Sequence, residues 1–476
     1  MQDKRQFYIN GQWVDPITPN DFEVINPATE EPCATISLGS KEDVDVAVKA
    51  ASAAFSSWQH SSKAERMELL KTIQSEYAKR EEDMAWATTL EMGAPIDMSR
   101  TQQVGCGTGH IQGFINTLEK FEFEEGIDGY PTEKILKEPI GVVGLITPWN
   151  WPMNQIFLKV IPAIAAGCTA ILKPSEVSPL SGTVFSEIMD AAGVPAGVYN
   201  MIHGDGVGVG SALSTHPDIA MISFTGSTRA GKLITKAAAD TIKRVTLELG
   251  GKGANLIFAD ADANAVKRGA MHCFNNTGQS CNAPTRMLVQ REYYDEAVEI
   301  AAETAKNREV NDPSKEGNHI GTLASEMQFD KVQDMIEVGI KEGARLVAGG
   351  LGRPEGLNKG YYARPTVFAD VTSDMRIYRE EIFGPVLAIS PFDTEEEAYA
   401  MANDTDYGLT NYAQTQDPEK AKRAARAMRS GMIRLNGDGG GAPLPFGGMK
   451  QSGNGREGGK WGIEDFCELK HVTGWT

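Results

Sequence analysis

The chain has no paired-cysteine motif. Its six cysteines, Cys33, Cys106, Cys168, Cys273, Cys281 and Cys467, are scattered without a C-x-x-C. That spacing argues against a disulfide framework or a zinc site and suits a reducing compartment. Seven histidines offer no H-E-x-x-H or similar spacing, so no metal is expected. Long apolar runs are missing too. The longest, Ile156 to Leu172, is broken by Lys159, Pro162 and Gly167, which argues against a membrane-crossing helix. The N-terminal run Met1-Gln2-Asp3-Lys4-Arg5-Gln6 has no apolar signal region, so a cytoplasmic protein is expected. Positive charge is in deficit, with 46 Lys+Arg against 64 Asp+Glu and a net charge of −18. Nucleic-acid binding relies on a basic footprint, so no such partner is expected. An anionic cofactor would need local donors, because the overall field repels it.

What is present suits a large globular protein. A chain of 476 residues, 41% hydrophobic and 23% charged, can build two or three cored domains. Residues 40–55 read as an amphipathic helix. Ser40 and Asp43 supply a capping pattern, and Val44, Val48, Ala51 and Phe55 share one face. Residues 63–92 read as one longer helix, stopped by Gly93 and Pro95. Strand-like and helix-like stretches then alternate: Val142–Ile146, Met153–Ala166, Ala170–Leu172, 181–192 and Val198–Ile202. Such a β-α-β-α-β order predicts a parallel sheet covered on both faces. A second alternating unit starts near Gly250, with strands at 255–258 and 287–289 and helices at 293–307 and 326–342.

Two segments carry chemistry. Phe274-Asn275-Asn276-Thr277-Gly278-Gln279-Ser280-Cys281-Asn282-Ala283 places a lone thiol in a polar, glycine-containing loop. Structural cysteines normally sit in apolar runs, although a small buried core residue is the commoner fate of a single cysteine. Val245-Thr246-Leu247-Glu248-Leu249-Gly250-Gly251-Lys252 puts one carboxylate at the end of a strand-like run. A nucleophile and a base are the parts that covalent catalysis with hydrolysis requires, but a salt-bridged structural Glu248 fits the residues equally well.

Three turns lie at strand ends, where open α/β sheets bind ligands. Gly204-Asp205-Gly206-Val207-Gly208-Val209-Gly210 fits G-x-G-x-x-G in no register. Phe224-Thr225-Gly226-Ser227-Thr228 leads from a strand into a helix whose first N–H groups could hold a phosphate, or Ser227 could be only a helix cap. Lys173-Pro174-Ser175-Glu176 pairs a cation with an acid, suited to ribose hydroxyls or to nothing but water. A carboxylate there would repel a ribose phosphate and favour NAD over NADP.

Taken in order, these segments resemble the aldehyde dehydrogenase superfamily over roughly residues 8–474. Thr147-Pro148-Trp149-Asn150-Trp151-Pro152, Glu380-Glu381-Ile382-Phe383-Gly384-Pro385-Val386 and Pro445-Phe446-Gly447-Gly448-Met449-Lys450-Gln451-Ser452-Gly453 add to the likeness. The resemblance implies Cys281 as nucleophile, Glu248 as general base and Asn150 as oxyanion donor. It implies NAD held by Trp149, Lys173, Glu176, Gly226, Ser227, Glu381 and Phe383. It places Trp151, Gln155, Ser280, Asn282 and Phe446 at the substrate, with Asn154 and Leu158 beside them.

An α/β fold follows from the same likeness: a Rossmann-like cofactor domain, a second α/β catalytic domain and a small β oligomerisation element. The corresponding boundaries are 1–117 with 139–249 for the cofactor, 250–445 for catalysis, 118–138 with 466–476 for assembly, and 446–465 returning to the cofactor domain. Phe121-Glu122-Phe123-Glu124 alternates like a strand of the assembly element. A homodimer or homotetramer is therefore expected. Two other readings stay open: a CoA-acylating relative and a non-catalytic family member. Retention of Glu248 favours hydrolysis, since thiolysis by CoA needs no such base. The entrance segments hold no arginine, which leaves no reason in them to expect a strongly anionic aldehyde. Gly278 is expected to let the backbone approach the substrate.

Overall fold

The computed structural model describes residues 1–475. Two large sheets organise the α/β fold. The first has eight strands in the spatial order Gly453–Asn454, Arg244–Glu248, Met221–Thr225, Val142–Ile146, Thr169–Lys173, Tyr199–Met201, Phe7–Ile9 and Gln12–Val14. Its five central strands are parallel, and both edges are finished by antiparallel pairs. Buried aliphatic runs such as Val142–Ile146 and Thr169–Lys173 suit strands covered on both faces.

Strand order reverses between Val142–Ile146 and Met221–Thr225. At such a switch point the following connections diverge and leave a crevice at the carboxyl ends of the strands. The segment 147–151 leaves one of these strands and the turn 226–227 leaves the other.

The second sheet has seven strands, ordered Arg345–Ala348, Thr366–Ala369, Val386–Phe392, Arg286–Gln290, Ala254–Ile257, Thr410–Gln414 and Met432–Leu435. All neighbours are parallel except the pair at the Arg345–Ala348 edge. Two three-stranded sheets complete the chain. One uses Gln2–Asp3, Glu31–Ser37 and Asp21–Asn26. In the other, Tyr130–Pro139 lies between Glu124–Ile127 and the tail strand Cys467–Thr473, paired within one chain. Thr476, the last residue of the expected 466–476 segment, lies outside the described residues.

Local chemistry explains the helices that place the site. Lys41–Trp58 starts at a full capping box between Ser40 and Asp43 and buries Val44, Ala47, Val48 and Ala51. Pro152–Ala166 begins with proline, where the missing N–H costs nothing, and stops at Gly167 with φ +95°.

Two expectations are corrected. Residues 63–92 form two helices, Lys63–Ala78 and Glu81–Met92. The break falls at Lys79-Arg80, where Arg80 leaves helical geometry and pairs with Asp83 and Glu187. The acidic run Glu81-Glu82-Asp83 then begins a new helix at its positive end. Phe121 and Phe123 precede the strand instead of forming it. Their rings pack edge-on at 4.8 Å, with Lys137 over Phe121 and Arg66 over Phe123, and the strand starts at Glu124.

Candidate active site

The thiol loop follows the helix Ala265–Phe274 and adopts unusual backbone angles. Asn276, Thr277 and Gly278 have φ of 50°, 55° and 72°. Left-handed geometry costs a non-glycine residue about 1–3 kcal/mol and persists only where the surroundings impose it. Here they do. Gln279 Nε2 donates to the carbonyls of Asn276 and Thr322, and its Oε1 accepts from Ala324 N–H. Asn276 Nδ2 donates to the Asn150 carbonyl at 2.9 Å. Gly278 abuts a neighbouring segment of backbone. A Cβ there would lie 2.1 Å from the Gly384 carbonyl oxygen, so its bareness serves backbone packing.

Asn150 and Trp151 close over this loop. Asn150 is buried, and its Nδ2 donates to the Gln279 carbonyl at 3.0 Å. A primary amide has two hydrogens, so one donor remains for another acceptor. Trp151 Nε1 donates to Ser280 Oγ at 2.8 Å. On the opposite side, Gly251 is pressed against the Cys281 carbonyl, and Tyr412 donates its hydroxyl to the Asn282 carbonyl at 2.6 Å. The loop is thus gripped on both sides of a half-buried Cys281.

Glu248 ends the strand Arg244–Glu248. It is 4% exposed, and neither carboxylate oxygen has a hydrogen-bond partner. A buried acid left bare is costly unless it is neutral or serves a reaction. Burial, reinforced by the carboxylate of Glu457, raises its pKa well above the usual carboxylate range, while Lys159 and Arg456 oppose the shift. Burial also pushes the Cys281 thiol far above its ordinary range, and the carboxylates of Glu381 and Glu248 push the same way. The resting group is therefore a thiol, with the carboxyl groups of Glu381 and Glu248 within its electrostatic reach.

Lys159 and Glu457 went unnoticed as site residues in the sequence. Lys159 is fully buried one turn along its helix from Gln155, and its ammonium donates to Glu457. The second Glu457 oxygen is buried without a partner. In the sequence Lys159 only interrupts an apolar run. Charge in the middle of an otherwise buried helix was the available signal.

The expected cofactor residues gather at the switch-point crevice and beside it. Ser227 caps Thr228–Ala238, accepting from Ala230 N–H, which leaves the first N–H groups of that helix free. Thr225 Oγ1 is buried without a partner next to Gly226. Lys173 Nζ is fully engaged by Glu176 at 3.3 Å and by the Pro174 and Gly204 carbonyls. It therefore orients Glu176, the more exposed member of the pair. Glu381 accepts from Gly251 N–H at 2.8 Å, and a Cβ on Gly250 would strike its other oxygen. Phe383, with φ 62°, packs edge-on against Trp149 at 5.4 Å. Among the described residues no cluster of three or more His, Cys, Asp or Glu is arranged to hold a metal ion.

Phe446 is half-buried and exchanges both backbone hydrogen bonds with Glu457, at 2.8 and 2.7 Å. Gln155 is buried with Oε1 unpaired. Asn154 accepts from His110 Nε2 at 2.7 Å.

The arrangement has known counterparts. A family model described as "Aldehyde dehydrogenase family" matches residues 13–472. The chain belongs to the aldehyde dehydrogenase family. Among curated relatives of this aldehyde dehydrogenase is the 3-succinoylsemialdehyde-pyridine dehydrogenase of a Pseudomonas species. It is 51% identical, with all of this chain and 99% of the relative covered. An aldehyde dehydrogenase structure from Bartonella henselae is 56% identical with a TM-score of 0.99, covering 100% of both chains. A cysteine-to-alanine mutant of aldehyde dehydrogenase C from Pseudomonas syringae, complexed with NAD+ and octanal, is 49% identical with a TM-score of 0.97. That match covers 99% of this chain and 97% of the other. No helix among the described residues is long and apolar enough to cross a membrane.

Proposed function

We propose that this aldehyde dehydrogenase uses NAD to oxidise an aldehyde to its carboxylic acid, with Cys281 as nucleophile and hydrolysis as the final step. The observation that carries the reading is Glu248. It is a buried carboxylate with both oxygens bare, within electrostatic reach of the Cys281 thiol. NAD fits the residues present: free N–H groups behind Ser227, the unpartnered Thr225 hydroxyl, and an oriented Glu176 for ribose hydroxyls. Trp149, Gly226, Glu381 and Phe383 complete the set. The Pseudomonas syringae relative, crystallised with NAD+, supports the choice.

The steps follow from the side chains. The Cys281 thiol gives its proton to a carboxylate, and the sulfur adds to the aldehyde carbon. The resulting alkoxide lies between the free hydrogen of the Asn150 amide and the Cys281 backbone N–H. When bound, the nicotinamide supplies the acceptor for the hydride that leaves this carbon, and a thioester remains on Cys281. Unprotonated Glu248 then takes a proton from water as the hydroxide adds to the thioester, and that proton returns to the departing Cys281 thiolate as the acid forms. Glu457, tied to Lys159, offers the next acidic group for the proton first taken from the thiol.

Trp151, Gln155, Ser280, Asn282 and Phe446 form the substrate wall in this reading. Residues 1–117 and 139–249 serve the cofactor, 250–445 carry the thiol, 118–138 and 466–476 assemble subunits, and 446–465 return to the cofactor domain. In this reading the enzyme is cytoplasmic and a homodimer or homotetramer.

The test is NADH formation from a panel of aliphatic, aromatic and carboxylated aldehydes, with the acid product identified. NAD should be preferred over NADP, because Glu176 faces a ribose phosphate with like charge. Formation of acyl-CoA in place of free acid would overturn the hydrolytic step, and no turnover on any aldehyde would overturn the activity.

A further inference from the structure

The helix Pro152–Ala166 is buried along its length except at one residue. Of its 15 residues only Asn154 is half-buried, and all the others are fully packed away. The N-cap of this helix, Trp151, is half-buried too, and it donates Nε1 to Ser280 Oγ beside the half-buried thiol. Residues three apart on a helix are neighbours, so Trp151 and Asn154 border one opening over the thiol loop. Leu158, one turn further on, is 3% exposed and closes that opening.

The Asn154 amide is held in one orientation. His110 Nε2 donates to Asn154 Oδ1 at 2.7 Å. Burial holds this imidazole below its ordinary pKa, with the bond to Asn154 opposing, so the ring is neutral at neutral pH. One ring nitrogen carries the proton given to Asn154, and the other, Nδ1, is buried and bare in the wall behind. With Oδ1 taken, the two hydrogens on Asn154 Nδ2 remain, and among the described residues that nitrogen has no partner. The side chain therefore presents donors, not acceptors, to the opening.

The facing wall comes from a late segment of the chain. His110 lies between Gly109 and Gly113 on the helix Gly105–Lys120. A Cβ on Gly109 or Gly113 would stand 3.9 or 3.6 Å from Ala442 Cβ, so the segment that runs on to Phe446 passes over this helix. The one cation on the Asn154 helix, Lys159, is spent on Glu457. A neutral amide suits an uncharged acceptor, whose desolvation costs little, better than a carboxylate left without a counter-charge from this helix.

We propose that Asn154, held in place by His110, is a specificity-determining residue that selects aldehydes carrying an uncharged hydrogen-bond acceptor, such as a γ-keto group. This inference rests on the proposed aldehyde oxidation and names its substrate class. Asn150 takes the aldehyde oxygen in that reading, and Asn154 lies one turn beyond it. At the helical rise that is roughly 6 Å, within reach of a γ-keto oxygen on the same aldehyde. His110 acts through Asn154 as a positioning residue and does not itself touch the substrate.

The test uses the full-length wild type, Asn154→Leu, His110→Phe and His110→Gln, each checked for its fold by circular dichroism. The value of kcat/KM is measured for levulinaldehyde, a γ-keto aldehyde, and for isocaproaldehyde, which has a methyl in place of the keto oxygen. Wild type should favour levulinaldehyde by about tenfold, the worth of one hydrogen bond, and Asn154→Leu should lose that preference. His110→Phe should lower the ratio with the Asn154 amide still present. His110→Gln, whose amide can still donate to Oδ1, should restore part of it. A merely structural histidine would change both substrates alike and leave the ratio constant. No preference in wild type, or the same ratio in Asn154→Leu as in wild type, would overturn the proposal, while turnover of isocaproaldehyde keeps the aldehyde reading. An unchanged ratio in His110→Phe would overturn the positioning role. No turnover of either aldehyde by wild type would overturn the aldehyde reading and this selection with it.

Discussion

Gly251 and Cys281 lie back to back, and a Cβ added to Gly251 would stand 2.3 Å from the Cys281 carbonyl oxygen. No real Cβ tolerates that distance, so the backbone of one segment must move. Gly251 also gives its N–H to Glu381, which couples the thiol loop to an expected cofactor residue through one position. Gly251→Ala should therefore reduce kcat/KM by about a hundredfold or more, the cost of a misplaced reacting group. Steady-state kinetics with circular dichroism on the same sample checks this. Near-normal turnover would show that the loop is not positioned by this contact.

Asn150→Ala removes the side-chain amide beside the thiol. Loss of one oxyanion donor costs about 2.7–4 kcal/mol, on the order of a hundred- to a thousandfold in kcat. The KM for NAD should change little, because the amide lies at the thiol loop rather than at the Ser227 turn. Stopped-flow measurement of the hydride step separates this from slow product release.

Glu91 offers a stability test away from the chemistry. It is fully buried and accepts from the N–H groups of Leu180 and Ser181, capping the start of a helix. Burial raises its pKa to about 8. The folded state then holds a proton that the unfolded chain releases near 4.5. Its stabilising contribution is complete below pH 4.5 and is lost as pH rises toward 8, by about 1.4 kcal/mol per pKa unit at most. Thermal midpoints should fall across that window in wild type, and Glu91→Gln should flatten the slope. An unchanged slope in the variant would place the effect on another group.

The small sheet points to assembly. Leu469 on the tail strand, Tyr130 and Trp475 are exposed, and both outer strands of this sheet have an open edge. Exposed apolar edges are normally covered by a partner. Light scattering at micromolar concentration should give a dimer or tetramer of the 51.5 kDa chain, and Leu469→Arg should weaken it. A fully active, stable monomer would contradict the expected role of residues 118–138 and 466–476.

Much of this was readable before any coordinates. The parallel first sheet follows from buried aliphatic runs alternating with capped helices, and Gly167 and Pro152 mark a helix that the structure keeps. Local patterns failed where tertiary contacts decide. Arg80 breaks a run that looks helical throughout because it pairs with Asp83 and Glu187. Phe121 and Phe123 alternate like a strand but are drawn under Arg66 and Lys137. Cys281 and Glu248 were visible because each is out of place in its segment. Lys159 and Glu457 were not, since their meaning lies in each other, distant along the chain.

The central claim is that Glu248 frees an acyl group from Cys281. The most direct measurement is mass spectrometry on Glu248→Gln quenched after mixing with aldehyde and NAD. The account predicts a burst of about one equivalent of NADH per active site and an acyl mass on the peptide containing Cys281, absent when Cys281→Ala is added to Glu248→Gln and still present when Cys273→Ala is added instead. An unmodified Cys281 together with normal steady-state turnover in Glu248→Gln would contradict it.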